Sequence, residues 1–109
     1  MARTAFQIVL TTCPHAGAAR KLARALVEER LAACVNILPI RESIYRWRGR
    51  IESVAEQLLV IKSRVRDYRA LEKRLRALHP YELPETVAVP ITAGARRYLA
   101  WLNNPDKIR

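Results

Sequence analysis

Apolar residues recur along this chain with two periods, and the switches between them mark its elements. Residues 6–12 (FQIVLTT) form a short apolar run rich in β-branched side chains and bounded by Pro14, which predicts a buried strand. Over 17–30 the period becomes helical. Leu22 and Leu26 stand one turn apart with Ala19 and Ala23 on the same stripe, and Arg20, Lys21, Arg24, Glu28 and Glu29 fill the rest of the surface. Residues 33–38 (ACVNIL) read as a strand interrupted by Pro39, a residue tolerated only at an edge or a bulge. The strand resumes at 43–47, turns at Arg48-Gly49-Arg50 and returns as a long strand over 51–63. Residues 33–63 are therefore one long hairpin with a bulged first arm. Tyr68, Leu71, Leu75 and Leu78 carry a second helix over 64–78, which Pro80 stops. A fourth strand over 85–91 and a short helix over 96–103 complete the chain.

The resulting order, β-α-β-β-α-β plus a short C-terminal helix, is the split βαβ or ferredoxin-like pattern of the α+β class. It predicts one domain over residues 1–109, with a four-stranded antiparallel sheet and two helices on one of its faces.

The hairpin is too long for that domain. A chain of 109 residues has an expected radius of gyration near ~13 Å, hence a diameter of roughly 35 Å. A strand over 51–63 would span about 43 Å at ~3.3 Å per residue. Its tip, with Tyr45 and Trp47, would be an unsupported ribbon, and two-stranded ribbons are marginal in water. Docking of each hairpin on a neighbouring subunit resolves this. A kink near residues 54–56 that folds Trp47 back locally is the alternative.

Charge adds a second consideration. The formal net charge is +10, from 20 basic and 10 acidic residues. Such a chain attracts polyanions without any specific site, although dispersed arginines also serve solubility. Specific nucleic-acid binding is not expected, because a sheet that reads RNA needs exposed aromatics on its central strands, and here those strands offer only Phe6. Cys13 and Cys34 make no CxxC pair and no disulfide framework. With no signal-peptide core and no apolar run near membrane-spanning length, the expectation is a cytoplasmic chain without a membrane partner.

Several separate motifs resemble one family. LVEERLAACVNILPI (26–40), SIYRWRGRIE (43–52) and HPYELPE (79–85), supported by QLLVIKS (57–63), PIT.G (90–94) and YLAWLN (98–103), are similar to the CutA divalent-cation tolerance proteins, in the same order along nearly the whole chain. The resemblance implies a ferredoxin-like subunit in a homotrimer whose hairpins extend the sheets across subunits, an architecture like that of the PII-type signalling proteins. It implies tolerance of divalent metal ions, copper in particular, and no catalysed reaction. For copper it implies a Cys in the first strand and His residues before the Pro-Tyr pair. The aligned first-strand position here is Thr11, and Leu78 precedes His79, so only His79 carries over.

The residues themselves leave a soft metal site open, since thiolate and imidazole suit copper. The candidate ligands are His79, Cys13 and Glu85, with His15 and Glu82 nearby in sequence. Cys13 would substitute for the Thr11 position by a local shift. The topology does not by itself bring the end of the first strand to the end of the second helix within one subunit; a subunit interface could. His79 also has a structural reading, as an imidazolium at a helix C-terminus. Cys34 reads as an inert buried thiol. Tyr45, Trp47, Glu56, Lys62, Tyr81 and Trp101 are candidates for an intersubunit pocket, the aromatics as interface core, and Glu56 and Lys62 as pocket lining, a mutual pair or solvent-facing charges. No nucleophile triad, phosphate loop or zinc pattern is present.

Overall fold

The computed structural model describes residues 5–107. Its elements are β1 (Phe6–Cys13), α1 (Ala16–Glu28), β2 (Cys34–Trp47), β3 (Arg50–Arg64), α2 (Tyr68–Leu78), β4 (Val87–Pro90) and α3 (Arg96–Asn103), with a 3-10 turn at Val65–Asp67 before α2. The four strands form one antiparallel sheet in the order β2-β3-β1-β4. The expected ferredoxin-like fold is the one observed.

Alternation along the central strands sets the two faces of the sheet. Val9, Thr11 and Cys13 of β1 and Leu59, Ile61 and Ser63 of β3 are buried, with Val9 opposite Ile61 and Thr11 opposite Leu59. They pack under Leu22 and Leu26 of α1 and Leu71 and Leu75 of α2. The intervening residues, Ile8 and Leu10 of β1 and Leu58 and Val60 of β3, belong to the other face. The register places Ile8 opposite Val89 and Leu10 opposite Val87 on β4, and Leu58 opposite Leu38 on β2. This second face is apolar, and neither α1 nor α2 covers it. Leu38, Val87 and Val89 remain 44%, 47% and 48% exposed.

The hairpin is continuous. Its register shifts between Ile40 and Ser43, so the first arm carries the expected bulge. Pro39 does not interrupt it, because β2 is an edge strand and needs no outward N–H there. Arg48 (φ 50°) and Gly49 (φ 79°) close the tip between the paired Trp47 and Arg50. Two consecutive left-handed residues are what a type I′ turn demands. The molecule measures 45 × 31 × 24 Å with a radius of gyration of 14.8 Å, more elongated than a sphere of this length. Ile44 and Ile51 near the tip are 67% and 69% exposed.

Two boundaries and the burial of one cysteine differ from expectation. The second helix loses its first residues to the 3-10 turn, where Arg64 holds Asp67 at 2.8 Å. The fourth strand is only four residues long. Cys34 is half-buried rather than sealed, since among the described residues β2 has no neighbouring strand on its outer side.

Truncation of a core side chain tests the sandwich of helices on sheet. Leu59→Ala, beneath both helices, should lower unfolding free energy by about 2–5 kcal/mol, measured by urea denaturation at fixed protein concentration.

Candidate functional site

The polar residues of the core gather where β1 and α2 both end. Leu78 closes α2, and the His79 N–H still reaches the Leu75 carbonyl at 2.9 Å. The chain then turns extended at His79, ahead of Pro80, and swings the imidazole against β1. The ring Nδ1 accepts the Tyr81 backbone N–H at 3.1 Å. That bond leaves the proton on Nε2, which donates to the Thr12 carbonyl at 2.9 Å. Thr11 Oγ1 lies 3.3 Å and Cys13 Sγ 3.8 Å from the same nitrogen. The ends of β1 and α2 therefore meet within one subunit, and no interface is needed to join them.

Tyr81 extends the network. Its ring tilts against His79 with centroids 5.1 Å apart, and its hydroxyl donates to the carboxylate of buried Glu56 at 2.6 Å. Burial, the Glu56 hydrogen bond and the Glu56 charge all push the Tyr81 phenol up. Burial and the Glu56 carboxylate raise the Cys13 thiol to about 11, so it stays protonated at neutral pH. Burial lowers His79 below its ordinary value, with the Thr12 carbonyl and Glu56 opposing the shift. The ring is thus a neutral tie between two chain segments, and not the imidazolium expected at a helix end.

Beside this knot lies a cleft of about 700 Å³, lined among others by Thr12, Ile40, Leu58 and Glu85. Four of the six residues expected in an intersubunit pocket border it, namely Tyr45, Trp47, Glu56 and Tyr81. Arg48 bridges its rim, pairing with Glu82 at 3.0 Å and lying 5.2 Å over the Trp47 ring. Lys62 and Trp101 stand elsewhere. Lys62 shares the face of Glu56 but sits six residues further along β3, roughly 20 Å away, opposite Ile8 and Cys34. Trp101 belongs to α3, stacked near Tyr98. His15 is not a partner of Cys13; its Nδ1 caps α1 by accepting the Ala18 N–H at 3.1 Å.

A copper ion fits these residues poorly in this arrangement. Both His79 nitrogens are engaged, the Cys13 thiol is protonated, and Glu85 is outside the His79 network. Among the described residues no three His, Cys, Asp or Glu side chains come together as a metal cage.

The sequence of the chain matches the model of the CutA1 divalent ion tolerance protein family over residues 7–105. This chain belongs to the CutA1 family. It is 52% identical over 96 residues to the divalent-cation tolerance protein CutA of Thermus thermophilus, covering 88% of this chain and 93% of that relative. It is 46% identical to the chloroplastic CutA of Arabidopsis thaliana, covering 92% of this chain and 55% of the plant protein. The crystal structure of CutA from Xylella fastidiosa superposes with a TM-score of 0.88 at 44% identity, over 91% of this chain and 95% of that one. Like the fold itself, the His79–Thr12 tie thus sits inside a CutA1 scaffold. No helix among the described residues is long and apolar enough to cross a membrane.

The neutral His79 makes stability depend on pH. Its folded-state pKa lies below 6.5, so the unfolded chain binds the proton first and stability falls as pH drops below about 6.5. His79→Gln should cost about 1–3 kcal/mol at pH 7.5 by leaving buried backbone groups unpaired. That deficit should shrink toward pH 5, read from denaturation curves of both proteins across the range.

Proposed function

We propose that this chain works as a homotrimeric divalent-cation tolerance protein, assembled through the uncovered face of its sheet and its long hairpin. The observation that carries the proposal is the apolar face formed by Ile8, Leu10, Leu38, Leu58, Val60, Val87 and Val89, together with exposed Ile44 and Ile51 at the ribbon tip. Contiguous apolar patches of this kind mark association surfaces. Membership of a family described by divalent ion tolerance supports the link to divalent cations, and three subunits are part of the proposal. In such an assembly the cleft bordered by Tyr45, Trp47, Glu56, Tyr81 and Glu85 lies between subunits, and a neighbouring hairpin completes it. A small-ligand sensor of the PII type is the form this cleft would support. Residence in the cytoplasm is part of the same reading and draws on two free thiols, Cys13 and the half-exposed Cys34.

Copper coordination by Cys13 and His79 is a second reading, favoured by their 3.8 Å approach and by soft-ligand chemistry. It requires the His79–Thr12 bond to open and the thiol to ionise. Tolerance acting through the trimer, without a resident copper ion, suits the closed arrangement better.

Three measurements separate these readings. Leu38→Asp puts a charge into the association face and should weaken assembly at least tenfold, seen as loss of trimer mass on dilution. A strain lacking its own CutA and grown in graded copper should be rescued by the wild-type chain and not by Leu38→Asp. Rescue by a monomeric variant would contradict the trimer as the working form. In native mass spectrometry with added Cu(II), stoichiometric uptake abolished by His79→Ala would instead establish the copper site.

A further inference from the structure

The two long helices carry a charge that neither the fold nor the metal reading uses. Together α1 and α2 hold seven Arg and Lys residues against two Glu. Their apolar stripes, Leu22 and Leu26 on one and Leu71 and Leu75 on the other, face the sheet. The cations therefore line the outer surface, opposite the apolar sheet face. Arg24, Arg74 and Arg76 each have a glutamate within 4.0 Å. Arg20, Lys21, Arg69 and Lys73 have no carboxylate at that distance among the described residues, and all four are exposed.

Spacing and composition narrow the partner. Arg69 and Lys73 are one turn apart, about 6 Å along the axis, and Arg20 and Lys21 share the outer surface of the neighbouring helix. The exposed uncharged residues of the two helices are small, Ala16, Gly17, Ala70 and Ala77, apart from Val27 at 41%. A membrane-surface helix needs several large apolar groups to bury among lipids, and these two helices expose only Val27. A surface on which four cations remain after Glu28, Glu29 and Glu72 have paired with Arg24, Arg74 and Arg76 carries an excess of positive charge that suits a phosphate backbone. It carries no Asn, Gln or aromatic side chain to read base edges.

We infer that the outer α1–α2 surface binds the phosphate backbone of duplex nucleic acid without sequence preference, through Arg20, Lys21, Arg69 and Lys73. The surface is formed by one subunit and faces away from the proposed association face, so it does not depend on the trimer.

Fluorescence anisotropy with a labelled 20-base-pair DNA of arbitrary sequence tests this on the full chain. Four phosphate contacts predict a log–log salt slope near −3.6, hence roughly a hundredfold loss of affinity from 50 to 200 mM salt. Arg69→Glu with Lys73→Glu should reduce affinity at least tenfold and flatten the slope by about two. Arg96→Glu with Arg97→Glu changes the net charge equally but lies on α3, and should cost under threefold. A milder pair, Arg69→Gln with Lys73→Gln, should show the same ordering, with thermal melting confirming that each variant is folded. Equal losses from the α2 and α3 pairs would overturn the assignment in favour of diffuse charge attraction. Absence of binding at 50 mM salt, or binding to phosphatidylserine vesicles and not to DNA, would overturn it as well.

Discussion

Everything in this molecule follows from a sheet that its own helices cover on one side only. Strands β1 and β3 are central and alternate apolar residues onto both faces, so each face needs a cover. α1 and α2 bury Val9, Leu59 and Ile61 beneath Leu22, Leu26, Leu71 and Leu75. Among the described residues no comparable layer lies over Ile8, Leu10, Leu58 and Val60. Antiparallel sheets ordinarily solvate such a face with polar side chains. Here Leu38, Val87 and Val89 of the edge strands extend the apolar surface instead. The hairpin adds to the same need, because a ribbon with exposed isoleucines at its tip gains little from standing alone.

The second organising contact is smaller and polar. His79 ties the end of α2 to the end of β1 through the Thr12 carbonyl, and ties itself to Tyr81 through its other nitrogen. Tyr81 in turn reaches Glu56 on β3. One neutral ring thus positions the loop that borders the cleft. The same engagement withdraws the imidazole from metal binding. Burial of Cys13 withdraws the thiol as well. A residue that resembles a metal ligand in sequence is used here as a bracket.

Much of the fold was legible in the sequence, because periodicity is local. The alternation in FQIVLTT, the leucine stripes of both helices and the Arg48-Gly49 turn each declare their element. Local signals failed where the structure departs from usual residue preferences. His15 caps α1 in place of Ser, Thr, Asp or Asn. Arg30, at φ 61°, ends that helix in the position where glycine is usual, with the Leu31 N–H bonding the Leu26 carbonyl. The site was legible only in part. Tyr45, Trp47, Glu56 and Tyr81 do share a cleft, but Lys62 and Trp101 do not, since alternation gives a face and not a place along it. The meeting of Thr12 with His79, 67 residues apart, is a tertiary contact that no spacing rule reveals.

The uncovered sheet face is the central claim, and solution mass tests it most directly. Multi-angle light scattering on the purified wild-type chain at micromolar concentration should give three times the chain mass, unchanged by salt, because an apolar interface is not screened. A stable monomer under those conditions would contradict the account, since the face formed by Leu38, Leu58, Val60, Val87 and Val89 would then stand in water with nothing covering it.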